Sequence, residues 1–229
     1  MNTDQVKKWN QYCIAENDRI RSVLLEKLDI FINSIINSDI SQYEDWVYEL
    51  STKVVDGNDS FPVRMPLFEK VLFPVLFEGY KLKKPGCARW LAGFHQLIYK
   101  SKKAKKALGD EFTLPYLLEK ALVHDPKDDL AREKLARSIA SRLEYAIHEV
   151  PWGVLWDING ANIEQCELLK NELQEFKCII KICGLEERYE SLINECTIHF
   201  NEYQRYLRKH NDHESYEAYL LSSVVLHTN

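Results

Sequence analysis

Glycine and proline are scarce in this chain, eight and seven among 229 residues, roughly half the usual share of about 12% for the two types. With so few turn-formers, many-stranded β architectures, collagen-like repeats and low-complexity sequence all fit poorly. Apolar residues at helical spacing fill the chain instead. Ile20, Val23, Leu24, Leu28, Phe31, Ile32 and Ile35 recur at intervals of three and four. Ser41 followed by Glu44 has the form of a capping box ahead of Trp46, Val47, Leu50 and Val54. Leu67 to Lys81 reads as a buried helix bent at Pro74. Trp90, Leu91, Phe94, Leu97 and Ile98 form a further stripe. Thr113 is placed to cap a short helix carrying Leu117, Leu118, Ala121 and Leu122, and Asp125-Pro126 separates it from a longer one running to Ile147.

Beyond the connection 150–161, Asn162 and Gln165 open a helix that ends at Gly184, and Leu185 to Lys209 follows as its antiparallel partner. Asn211 with Glu214 starts a last helix. The expectation is an all-α protein, a repeat-like stack of antiparallel helical hairpins with about nine to ten helices. The polar stretch Asp56 to Ser60, running on to Pro66, is the best internal boundary. It sets residues 1–60 as N-terminal helices and 61–229 as the hairpin stack, with one continuous domain as the alternative.

Ala121, Leu122, Asp125, Pro126, Ala131 and Leu135 have the spacing of a helix ending in Ala-Leu, an Asp-Pro and the alanine of the next helix. In this the stretch Leu118 to Ala136 resembles the joint between two tetratricopeptide repeats. No second copy follows at the period of about 34 residues, and the Trp-Leu-Gly-Tyr pattern is absent. The resemblance implies a helical-hairpin stack like those of protein-binding solenoids.

Charge is segregated. Between Gly79 and Gly109 there are nine Lys or Arg and no Asp or Glu, which leaves 21 basic and 35 acidic residues elsewhere, a net of −14. Lys100, Lys102, Lys103, Lys105 and Lys106 close the basic stretch and are candidates for phosphate binding, hence for RNA. The acidic remainder would steer a basic protein.

The N-terminus has no apolar leader, and the longest apolar run, Val71 to Phe77, is far short of the about 20 residues needed to cross a membrane. A cytoplasmic location with no membrane partner is expected, and the six cysteines are expected as reduced, small core residues.

Three constellations bear on chemistry. Cys178, Cys183, Cys196 and His199 have superficial zinc-ligand spacing. A hairpin turn at Gly184 would hold Cys196 about 15 Å from Cys183, so no metal is expected. No phosphate-binding loop, dinucleotide fingerprint or nucleophile elbow occurs, and no cofactor is expected. The HEPN RNases place an Arg and, a few residues on, a His along one helix. This chain resembles that motif at Arg205 to His210, at Arg208 to His213, at Arg142 to His148 and at Arg89 to His95. Arg205 with His210 is the most family-like pair, although Tyr206 replaces the usual polar residue after the Arg. The resemblance implies phosphate stabilisation by Arg205 and acid–base chemistry by His210.

The connection after the long helix is the most unusual segment. His148, Glu149, Trp152, Trp156, Asp157 and Asn159 concentrate aromatic and polar groups there and are candidate binding residues. The leading expectation is therefore a non-enzymatic, cytosolic protein-binding module, in profile similar to immunity proteins and antitoxins that inhibit a basic toxin. The competing one is a HEPN-like RNase or RNA-binding protein using Arg205 and His210. The sequence does not fix an oligomeric state.

Overall fold

The structure is a computed structural model that describes residues 1–18, 20–57, 61–109, 112–149, 162–209 and 215–227, with side chains as far as Ser222. It is all-α, with no strand among the described residues. Contacts divide the chain into two compact units, Met1–Ala131 and Arg132–Asn229. The boundary expected in the 56–66 loop thus falls inside the first unit. There Trp9 packs on Phe61 at 5.2 Å, and Glu16 accepts hydrogen bonds from Arg64 at 2.5 and 3.1 Å.

The first unit opens with the hairpin α1 (Thr3–Asp18) and α2 (Arg21–Ile36). Asn2 and Gln5 exchange 2.9 Å bonds between side chains and backbone amides, a capping box that starts α1. The buried Gln5 amide also donates to Ser34 O at 3.0 Å and Ser38 Oγ at 2.9 Å, tying the start of α1 to the end of α2. Trp9, Phe31 and Trp46 meet with ring centroids 5.0 to 5.4 Å apart.

Two local expectations change here. Ser41 lies in a 3-10 turn, Ile40–Gln42, and the capping side chain is Asp39, which accepts from Ser41 N at 3.2 Å. Glu44 instead begins α3 (Glu44–Ser51) and takes bonds from Tyr48 and Lys84. A carboxylate with a lysine partner in reach gains more there than from a neutral amide. Helix α3 runs on into a π-helical turn, Thr52–Asp56. The helix expected across Pro74 is α4 (Met65–Leu67), a π-helical turn Phe68–Leu72 and α5 (Phe73–Lys81). Pro74 stands just past that wide turn, where its missing N–H breaks no regular helical ladder.

The stripe from Trp90 to Ile98 breaks at Phe94 into α6 (Cys87–Gly93) and α7 (His95–Lys100), and Ser101 caps α8 (Lys102–Leu108) with a 3.1 Å bond from Ala104 N. These breaks bring the number of helical segments above the nine or ten expected. Thr113 caps α9 (Leu114–His124) as anticipated, with Tyr116 N at 3.2 Å. Helix α9 packs chiefly against α6, and α10 (Asp129–Glu149) begins after the Asp125-Pro126 turn.

In the second unit α11 (Ile163–Cys183) and α12 (Glu186–Arg208) form the expected antiparallel hairpin. Asn162 and Gln165 make a complete capping box. Gly184 turns the chain at φ 64°, a left-handed conformation that glycine alone adopts without a penalty. Leu169, Leu173, Phe176 and Ile180 of α11 are buried with Tyr189, Cys196, Phe200 and Tyr203 of α12. Phe176 meets Tyr189 edge-on at 5.2 Å. Helix α13 (Tyr216–His227) is held to α12 by the Tyr203–Tyr216 ring pair at 5.0 Å and a 3.0 Å bond from Tyr219 to Glu202.

Candidate functional site

Of the nine basic residues between Gly79 and Gly109, three are neutralised internally, and six, an isolated Lys83 and the five lysines 100–106, are exposed without an ion pair among the described residues. Lys81 pairs with Glu78, and Lys84 pairs with Glu44. That lysine's hydrogen bond is the main reason the Glu44 carboxyl lies below the ordinary carboxylate range. Arg89 is the most embedded of the nine. Its guanidinium donates to Asp56 at 2.8 and 2.9 Å and also to Asp128, and all three side chains are 11% exposed or less. Trp90 Nε1 donates to the same Asp56 at 2.7 Å. Two carboxylates and one guanidinium this dry are a structural clasp. Arg89 is thereby fully occupied, and its spacing to His95 marks no phosphate site.

Lys100, Lys102, Lys103, Lys105 and Lys106 are different. All five are exposed, and none has an ion pair among the described residues. Ala104, the buried residue of α8, faces away from them. Tyr99 is 47% exposed beside them, its ring 5.2 Å from that of Phe112 and edge-on to His95. The basic face therefore does carry an exposed aromatic, Tyr99, which lies off the core stripe of Trp90 and Phe94.

The second unit contains an open groove of about 490 Å³ between α10 and α12. Ala140, Ser141 and Tyr189 line it together with the charged Arg137, Glu144, Arg188 and Glu195. The groove's charges are unequally engaged. Arg137 pairs with Glu133 at 2.8 Å, and Arg188 lies over the Tyr189 ring at 5.6 Å. Glu195 accepts one hydrogen bond from Ser191 at 3.2 Å. Glu186, Glu187 and Glu190 extend the same helix outward, all exposed and without an ion pair among the described residues. The unit as a whole has sixteen acidic and eleven basic residues, and the first unit has nineteen of each. The chain's entire formal charge of −5 thus belongs to the second unit.

Of the candidate residues around the 150–161 connection, His148 and Glu149 close α10, with His148 exposed and its Nδ1 3.3 Å from Glu149 Oε1. Trp152, Trp156, Asp157 and Asn159 lie outside the described residues, as do His210 and His213. Arg205 is exposed on α12 and paired with Glu202 at 2.6 Å. Arg142 is paired with Glu172, whose carboxyl is pushed up by burial against the opposing pull of that arginine. The cysteines divide: Cys87, Cys166 and Cys196 are buried, Cys13 and Cys183 are half-buried, and Cys178 is exposed. Cys196 and Cys178 thus sit in opposite environments. Among the described residues no three His, Cys, Asp or Glu side chains converge as metal ligands would.

Sequence reading missed the groove because its two walls are about fifty positions apart. Comparison of the chain with protein-family models, with curated proteins and with solved structures returns no match.

Proposed function

We propose that the chain is a non-enzymatic binding protein whose second unit engages a basic protein partner, in the manner of an inhibitor that covers a toxin's cationic surface. The observation that carries this reading is the unequal engagement of charge along the α10–α12 groove. Its arginines are neutralised by Glu133 or laid over an aromatic ring, while Glu144, Glu190 and the Glu186-Glu187 pair project into solvent. Lysine or arginine side chains of a partner would find carboxylates there without displacing an existing ion pair. Glu186 and Glu187 also favour the positive end of the α12 dipole, so helix stability accounts for part of their placement. Glu144 and Glu195, in the middle and later parts of their helices, have no such reason.

Charge reversal tests this directly. Wild-type protein and a Glu144→Lys/Glu195→Lys variant are immobilised and exposed to native cell extract at low and high salt. The expected result is stoichiometric retention of a basic protein by wild type, weakened by salt and lost in the variant with the helical circular dichroism unchanged. Equal retention by both proteins, or none by wild type, would overturn the assignment. Cleavage of RNA by wild type that a His210→Ala variant lacks would establish the competing nuclease reading.

A further inference from the structure

We propose that the five lysines of α7 and α8, with Tyr99, form a binding site for single-stranded nucleic acid. The site is in the first unit and is independent of the acidic groove.

The arrangement starts from the sequence Ser101-Lys-Lys-Ala-Lys-Lys-Ala-Leu108. At about 100° per residue, Lys102, Lys103, Lys105 and Lys106 cover an arc of about 160°, and Ala104 lies opposite its centre. Burying Ala104 and capping the helix with Ser101 therefore turns all four ammonium groups outward together. Lys100 adds a fifth at the end of α7. Three of the four remaining basic residues of the segment show what intramolecular neutralisation looks like in this unit: Lys81, Lys84 and Arg89 each have a carboxylate, whereas Lys83 is exposed and has none among the described residues. The five have none among the described residues, and together they form a concentrated positive face.

Three classes of polyanion could answer such a field, and the neighbouring residues choose between them. A lipid surface calls for large apolar side chains to insert beside the lysines. The residues interleaved here are Ala104, which is buried, and Ala107. An acidic protein calls for large side chains buried at the centre of the contact, and between its lysines α8 presents only alanines. A single strand calls for a row of cations to track phosphates and an aromatic face on which an unpaired base can stack. Tyr99 supplies that face. It is half out in solvent yet held by Phe112 behind it at 5.2 Å and by the edge-on ring of His95, so little ordering is required on binding.

Fluorescence anisotropy with labelled oligouridine and oligothymidine of about twenty nucleotides, a length that spans a typical single-strand site, tests the assignment on the full chain across a salt series. Binding should weaken linearly on a logarithmic salt scale, with a slope set by about 0.7 per phosphate contact. Lys102→Ala/Lys105→Ala should shrink that slope by about 1.4 and weaken both oligomers alike. Tyr99→Ala should weaken binding about tenfold while leaving the slope unchanged, a split that mere charge attraction does not produce. The two oligomers tell RNA from DNA. The site is overturned if neither binds, if the lysine variant binds as wild type does, or if vesicles rich in phosphatidylserine compete as well as the oligomers do. All these side chains are exposed, and unchanged circular dichroism confirms that each variant folds. Failure here leaves the acidic groove untouched, since no residue is shared.

Discussion

Asp128 uses its two carboxylate oxygens on two different segments: Oδ1 accepts from Ala131 N at 2.9 Å and caps α10, while Oδ2 accepts from Arg89 of α6. One side chain thus satisfies a helix terminus and balances a buried cation. Replacing Arg89 by Met leaves Asp56 and Asp128 facing one another without their counter-ion. The expected loss of stability is about 3–5 kcal/mol, because an unbalanced buried charge costs more than the pair contributed. Urea unfolding measures it. Asp56→Leu added to Arg89→Met should recover part of the loss, and a single-variant loss under about 1 kcal/mol would mean that the clasp is inert.

Gly93 at the end of α6 marks a second tight contact. A Cβ built there would lie 2.4 Å from Cγ1 of Val55 in the π-helical turn. Gly93→Ala should therefore destabilise the first unit by about 1–3 kcal/mol through overpacking, despite the better helix propensity of alanine. Val55→Ala should relieve that strain in the double variant. Additive losses in the double-mutant cycle would show that the two positions do not press on each other.

His124, the last residue of α9, has a buried Nδ1 without a hydrogen bond and a ring 5.4 Å from that of Tyr80. Burial, with Lys83 and Lys120 adding to it, holds its imidazole below the ordinary histidine range. The unfolded chain then binds a proton more readily than the folded one. Stability from this residue is complete above the ordinary value of about 6.5 and is withdrawn as pH falls from there towards the depressed folded value. Unfolding free energies at about pH 8 and about pH 5.5, on either side of that ordinary value, should differ more for wild type than for His124→Phe. Equal differences would remove the histidine from the acid response.

The cysteines should react in two classes. Burial pushes the thiols of Cys87 and Cys166 up to about 11 and that of Cys196 up to about 12, while Cys178 is exposed. Iodoacetamide at about pH 8 should label Cys178 first, and the three buried thiols only at the rate of unfolding. Peptide mass spectrometry over time gives the order. Early modification of Cys196 would show that α12 is not packed as described.

How far the sequence announces this molecule depends on whether a signal is local. The Asn162–Gln165 box, Thr113 and Gly184 act within a few residues of themselves, and each stands where its chemistry placed it. Ser41–Glu44 misleads because Glu44 has a better partner forty positions away in Lys84. The same distance effect hides the sites. Nothing near Arg89 in sequence reveals that it belongs with Asp56 and Asp128 rather than with the lysines around it. Tyr99 lies off the Trp90, Leu91, Phe94, Leu97 and Ile98 stripe, and its value to the basic face rests on Phe112, thirteen positions away, which backs its ring.

The interlocking of residues on either side of Gly57 has a further consequence. Asp56 with Arg89, Glu16 with Arg64 and Trp9 with Phe61 all bind the first 57 residues to the remainder of the first unit. Separately expressed fragments 1–57 and 61–229 should reassemble without a covalent join and elute together on size exclusion, and separate elution would refute it. On this expectation a polar stretch that looks like a border in the linear text is spanned by contacts that hold without it.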